Sequence, residues 1–327
     1  MGGAIAVPQA LLDQAYAALE ATKTKARPRG NHVVAARALG IDRGTFRGRL
    51  ELRTTGRSAE SICAIDKNNA KTRYGARVNV PVKEGCVVVF SDAHFWPGYM
   101  SNANQALLKL LPKLKPYLLI NNGDSFDGAS ISRYPRIGWD SKPTVKQELE
   151  VNTERLTEIE KAAPNAMRTW NLGNHDARFE NYLAARAPEF QGVGGFHLKD
   201  HFPSWIPAWS TWIGDEIIVK HRMKGGKYSA ANNVLAAGRS IVTGHDHMLW
   251  GKALTNYSGT SWGIDAGTLA DVWGAMFKDY TEDHVVDWQS GFVILHFSKG
   301  RFTGPEFVHA LPDGRVIYRG SDLKVAA

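Results

Sequence analysis

The stretch Cys86–His94, CVVVFSDAH, decides how the rest of the chain is read. An apolar run of strand length, with no polar residue alternating through it, marks a strand covered on both faces. It ends abruptly in Asp92 and His94. Residues i and i+2 of an extended chain face the same side, so this carboxylate and imidazole can reach one point.

Working outward, YLLINNGD (117–124) and AMRTWNLGN (166–174) repeat the pattern: apolar run, then glycine, then Asp or Asn. Between these strands the spacing predicts helices over 102–115 and 144–163, with a third over 176–187. This β-α-β-α order argues for an α/β layered fold with a partly parallel sheet. After residue 209 the strands come closer together: WSTWIG, EIIVKH, SIVTGH, GFVILHF and DGRVIYRG. They are expected to form a second sheet packed on the first, giving a two-sheet βαβ sandwich flanked by helices.

Polar clusters recur at the strand ends. After Asp92 and His94 come Asp124 in NNGDSFDG, then Asn174, His175 and Asp176 in GNHD, His221 in IIVKHR, and His245 and His247 in IVTGHDH. In an open α/β sheet, ligands gather at the carboxyl ends of strands, so five such ends would meet in one crevice. Carboxylate, amide oxygen and imidazole together suit first-row divalent cations such as Mn, Fe, Zn or Ni. Two ions about 3.5–4 Å apart activate water and clamp a phosphoryl group during in-line attack. One carboxylate would bridge them, and Asp124 is the best placed.

The ordered series D-x-H, G-D-x-x-D, G-N-H-D, a strand-terminal His and G-H-x-H resembles the calcineurin-like metallophosphoesterase superfamily over about residues 86–270. The resemblance implies that Asp92, His94 and His247 hold one metal, that Asn174, His221 and His245 hold a second, and that Asp124 bridges. It implies that His175 stabilises the transition state or protonates the leaving oxygen, that Asp176 orients His175, and that Arg178 contacts a phosphate oxygen. In one respect the sequence departs from the family. A glycine often follows the isolated histidine there, whereas Arg222 follows His221 here, which leaves His197 and His201 as alternative ligands.

Each residue alone has a plainer reading. A strand-end aspartate often caps a turn, and Asp127 in GDSFDG reads that way. A lone histidine is more often hydrogen-bonded than ligating, and His32, His284, His296 and His309 are read as structural or surface residues. Trp205, Trp209 and Trp212 could stack bases, but such a cluster is more often core. Structural readings do not predict five clusters in a fixed order, and the conjunction favours a dinuclear site.

The charge is unevenly placed. Residues 1–83 hold 15 Lys+Arg and 6 Asp+Glu, while the rest hold 25 and 26, so the net +8 of the chain comes from its first quarter. A basic module on a neutral body points to a polyanion. Within it, AARALGIDRGTFRGRL resembles the helix-turn-helix of Fis-type bacterial DNA-binding domains, with Gly40 at the turn and Asp42 as N-cap. That resemblance implies that Arg43, Thr45, Arg47 and Arg49 face DNA. The expected organisation is therefore a small all-α helix-turn-helix domain over 1–53, a basic linker over 54–83 and a metallophosphoesterase domain over 84–327. Such compact two-domain chains are expected of phage or prophage genomes.

Cys63 and Cys86 are the only cysteines, too few for a disulfide framework, and no apolar run is long enough to span a membrane. The expectation is a cytoplasmic protein. The leading functional reading is a metal-dependent nuclease or phosphodiesterase acting on DNA. A phosphatase or cyclic-nucleotide phosphodiesterase, and a DNA-binding regulator with a non-catalytic metal site, are the alternatives.

Overall fold

In a computed structural model of the protein, which describes residues 9–54, 74–134, 141–274, 277, 281 and 284–325, the apolar run folds as the strand Gly85–Phe90. Its side chains divide by parity, as a pleated strand requires. Val87 and Val89 point into one core, and Cys86, Val88 and Phe90 into another. Both faces are covered, which is why no polar residue interrupts the run.

The strand sits inside an eight-stranded sheet. In spatial order this takes Ser321–Asp322, Val316–Tyr318, Arg301–Ala310, Ser290–Ser298, Gly85–Phe90, Leu118–Asn121, Met167–Asn171 and Ile206–Ala208. The last four run parallel, and Ser290–Ser298 joins them antiparallel. A six-stranded sheet holds Val78–Asn79, Thr211–Ile213, Ile217–Val219, Ser240–Thr243, Gly259–Ala266 and Leu249–Asn256 in that order. Between the sheets lie Val87, Val89, Leu118, Ile120, Ile217, Val219, Val242, Ile264, Val293 and Leu295. Fully burying one such side chain is worth about 1.5–3 kcal/mol, so this layer holds the strand ends in register.

Helices cover the outer faces. Asn102–Leu114 starts at Ser101, whose hydroxyl accepts from the Asn104 N–H, and buries Ala103, Ala106, Leu107, Leu110 and Leu111 at helical spacing. Val145–Ala162 starts with a reciprocal Thr144–Gln147 capping box. Ser229–Ala237 packs Val234 on Ile218 and Ile241 of the six-stranded sheet.

The α/β two-sheet fold is as the sequence predicts, but the sheets divide the later strands differently. GFVILHF and VIY belong to the first sheet. The first of these pairs Val293 with Val89 and Leu295 with Val87. Leu249–Asn256, Gly259–Ala266 and Arg301–Ala310 are strands that the sequence pattern did not mark.

The chain divides into two units, Met1–Arg73 and Tyr74–Ala327. In the first, helices Gln9–Glu20, His32–Ala38 and Arg43–Thr54 close around Ala15, Ala35, Ala36, Phe46 and Leu50. Asp42 caps the third helix, accepting from the N–H groups of Gly44 and Thr45 at 2.8 and 3.0 Å. Of the linker expected over 54–83, residues 55–73 lie outside the described residues. Residues 74–83 are no linker: Val78 and Val80 donate to Ser210 and Trp212 carbonyls, extending the six-stranded sheet, and Val80 and Val82 are buried.

Candidate metal centre

The two sheets deliver their strand ends to one place. Asp92 and His94 follow Gly85–Phe90, Asp124 follows Leu118–Asn121, and Asn174 and His175 follow Met167–Asn171. From the other sheet, His221 follows Ile217–Val219, and His245 and His247 follow Ser240–Thr243. The connecting loops are stitched together by their own polar groups. Asp92 N–H donates to the Gly123 carbonyl at 2.8 Å and His94 N–H to the Asp124 carbonyl at 2.9 Å. The Asp124 carboxylate accepts from His175 N–H at 2.7 Å, and that of Asp92 from His245 N–H at 2.9 Å.

Two glycines permit this closeness. A Cβ on Gly173 would lie 2.0 Å from Asp124 Oδ1, and one on Gly244 would lie 2.0 Å from Ser91 Oγ and 2.6 Å from Asp92 Oδ2. The backbone also departs from ordinary geometry. Asp92, His94, Asp124, His245 and His247 all have positive φ, between 40° and 74°, a region that residues with a Cβ seldom occupy.

The side chains form three groups whose candidate ligand atoms lie within 4.8 Å of one another: two hold expected ligands, Asp92, His94 and His247, and Asp124, His221 and His245, and the third is His94, Asp127 and His175. Buried His94 Nε2, Asn174 Oδ1 and His247 Nδ1 have no hydrogen-bond partner among the described residues, while Asp92 Oδ1 and His221 Nε2 meet only other members of the cluster, His247 Nε2 and Asp124 Oδ2, each at 3.1 Å. Buried polar atoms are normally paired, so unpaired His94 Nε2 and Asn174 Oδ1, beside carboxylates and imidazoles that meet only one another, fit a bound cation. The chemistry of the set, carboxylate with imidazole and amide oxygen, is that of first-row divalent ions.

The electrostatics agree. Burial alone would raise the Asp124 carboxyl, but His221, His175 and His94 hold it well below the carboxylate range. Asp92 is likewise buried, yet His247 and His221 hold it at about 2. His221 Nε2 lies 3.1 Å from Asp124 Oδ2, and although burial opposes its charge, Asp124 and Asp92 push it up to about 10. In the metal-free chain an imidazolium therefore offsets part of the negative charge. His245 shifts the other way, lowered by burial and by the charge of His221.

His175 lies beside both ligand groups. Its Nδ1 is 2.5 Å from Asp127 Oδ1, its Nε2 is 3.0 Å from the Arg178 guanidinium, and its ring centroid is 4.8 Å from that of His94. Burial works against its protonated form, but the Asp127 hydrogen bond and the charges of Asp124 and Asp127 raise it. Arg178 also donates to the Asp127 carbonyl at 2.8 Å.

Two expectations are corrected here. Asp176 does not face His175. Its carboxylate accepts from the N–H groups of Asp124, Phe126 and Gly173 and from the Trp170 indole, so it braces the loops. The carboxylate on His175 is Asp127, read from sequence as a turn cap. The G-D-x-x-D spacing was the available signal. Neither alternative ligand joins either group: His197 accepts from Gly192 N–H, and His201 bonds the Gly195 carbonyl. Trp205 is core, its ring edge-on to Phe90, and Trp212 lies under Arg77. Trp288, by contrast, does meet the site, 4.6 Å from the His247 ring. In the first unit, Arg43, Thr45 and Arg47 are exposed and Arg49 is half-buried, and the Thr45 hydroxyl donates to Asp42.

Residues 87–267 match the calcineurin-like phosphoesterase family, and with more than half its length matched the chain belongs to that family. No curated protein sequence matches it. Among solved structures it is similar to wild-type Vps29 complexed with zinc from Entamoeba histolytica, at 15% identity and TM-score 0.37, covering 73% of this chain and 99% of that one. It is also similar to a protein serine/threonine phosphatase from Saccharomyces cerevisiae that resembles human phosphatase PP5. That likeness has 13% identity and TM-score 0.35, covering 75% and 87% of the two chains. The family makes the chain a metal-dependent phosphoesterase. Among the described residues no helix is long and apolar enough to cross a membrane.

Proposed function

We propose that the protein is a dinuclear-metal phosphodiesterase that cleaves DNA, with its N-terminal unit as a tether. The observation that carries the catalytic part is the convergence of Asp92, His94 and His247, and of Asp124, His221 and His245, into groups whose candidate ligand atoms lie within 4.8 Å of one another, beside His175. Asp92, His94 and His247 would hold one ion, Asn174, His221 and His245 a second, with Asp124 between them. Two divalent ions there, manganese being the first to try, supply charge neutralisation and water activation. Asp127 holds the His175 ring by Nδ1, and Nε2, which accepts from Arg178 in this structure, would give a proton to the departing oxygen once the guanidinium turns to a phosphate oxygen. Although burial opposes it, the Asp127 hydrogen bond and the charges of Asp124 and Asp127 raise the pKa of His175, which favours the protonated ring. Arg178, 3.0 Å from the same nitrogen, would hold a phosphate oxygen.

The DNA assignment is supported by the charge of the first 83 residues and by the capped helix Arg43–Thr54 with Arg43 and Arg47 exposed. Arginines on a helix of this kind would contact phosphates, and a tether raises local substrate concentration. The test is incubation of the full chain with end-labelled single- and double-stranded DNA and manganese, beside chelator and His175→Ala controls. Cleavage abolished by both controls is expected. Intact DNA with turnover of a small phosphate ester would instead identify a small-substrate phosphatase.

A further inference from the structure

Directly after His221, the loop Arg222–Tyr228 reads RMKGGKY: three cations, no anion and a tyrosine. All seven residues are exposed, and among the described residues none of the three cations has an ion-pair partner. An exposed basic loop serving only solubility needs no fixed backbone, yet this one is anchored. Buried Asn233 grips the backbone of Lys224 on both sides of its Cα, accepting from its N–H at 2.9 Å and donating to its carbonyl at 3.1 Å. The same amide reaches Thr243 at 3.3 Å, on the strand that leads to His245. Gly226 N–H donates at 3.1 Å to Asp246, the residue between His245 and His247. Gly225 passes so close to Asp246 that a Cβ there would lie 3.0 Å from Oδ1. The loop is thus tied to the segments that carry three of the candidate ligands.

We propose that Arg222, Lys224 and Lys227 form a subsite for a phosphate flanking the scissile one, so that the centre selects phosphodiesters within a chain of phosphates. This rests on the phosphodiesterase reading above and adds the residues that set its substrate preference. An anchored backbone keeps the bases of the three cationic side chains together, so less freedom is lost on meeting an anion than in a mobile loop, and each contact with a single strand adds affinity that salt weakens. Tyr228, at 64% exposure, offers an aromatic face to a neighbouring base.

The experiment compares two substrates with the same leaving group on the manganese-loaded full chain. One is the p-nitrophenyl ester of thymidine 5′-phosphate, and the other the same ester of a trithymidylate, which adds flanking phosphates. The wild type is expected to favour the longer ester by about tenfold in kcat/KM, with the preference shrinking as salt rises. The triple variant Arg222→Gln, Lys224→Gln, Lys227→Gln should bring the ratio near one, and the charge-preserving Arg222→Lys, Lys224→Arg, Lys227→Arg should retain it. A wild-type ratio near one, or a ratio unchanged in the glutamine variant, would overturn the subsite alone. Hydrolysis of neither ester by the wild type, while p-nitrophenyl phosphate is turned over, would overturn the phosphodiesterase reading and the subsite with it.

Discussion

Asp127 and His175 meet at 2.5 Å, Oδ1 to Nδ1, and the same oxygen lies 3.0 Å from Nδ1 of His94. One atom therefore orients an imidazole in the candidate metal group and the imidazole placed to donate a proton. The side-chain oxygen of an amide can still accept, but without the charge. Asp127→Asn is expected to lower kcat about 10–100-fold with a smaller effect on KM. Steady-state kinetics beside a metal titration would check this, because loss of ion binding through His94 and loss of proton donation through His175 separate in the two readouts.

His175 is expected to matter in proportion to the basicity of the leaving oxygen. Its variant His175→Ala should lose about 10²–10⁴-fold on an alkyl ester and far less on a p-nitrophenyl ester, whose leaving group departs without a proton. Since the acting form is protonated and its pKa is raised, the rate on the alkyl ester should fall as pH rises through that value. Disappearance of this alkaline limb in the variant, measured over pH 6–9, is the expected result.

Cation binding should release protons. His221 is pushed up to about 10 by Asp124 and Asp92 against the effect of burial, so below that pH its ring carries a proton that a bound ion must displace. Affinity should therefore fall as pH falls, by about tenfold per unit from this group alone. Calorimetric titration with manganese at pH 7.5, in buffers of different ionisation heat, should show release of about one proton or more. Chelation should lower both activity and Tm, by mass action.

The sequence made the five polar strand ends legible because ion chemistry demands particular residue types, and a run such as CVVVF leaves few alternatives to a buried strand. Asp127 was hidden because a carboxylate three residues after G-D is equally good as a turn cap, and only the folded loop shows which imidazole it meets. The strand Leu249–Asn256 was hidden for another reason. Much of it is exposed, so it lacks the apolar signature that marks its neighbours. Which sheet receives GFVILHF depends on pairing with Val87 and Val89, more than 200 residues earlier in the chain, and no local pattern encodes that.

Glu148 lies fully buried under the loop that carries Asp127, accepting from Gly128 N–H at 2.6 Å and from Ala129 N–H at 2.9 Å. Burial, then the charge of Asp127, pushes its carboxyl up to about 7 from an ordinary 4.5. With the folded value above the unfolded one, its protonated form stabilises the fold fully below about pH 4.5, and that contribution is lost as pH rises to about 7. The difference is on the order of 3 kcal/mol. Glu148→Gln leaves one loop N–H without its acceptor, costing about 1–3 kcal/mol. Urea melts of both forms from pH 5 to 7.5 should show the deficit of the variant shrinking as pH rises.

The left-handed backbone at Asp92, His94, Asp124, His245 and His247 sets stability and chemistry against each other at the same five positions. Each such residue costs about 1–3 kcal/mol that glycine would largely relieve. A library of this chain selected only for resistance to heat should therefore drift toward glycine at sites such as His94 and His247, gaining robustness as it loses its ligands. Turnover has to be part of the selection for those residues to survive it.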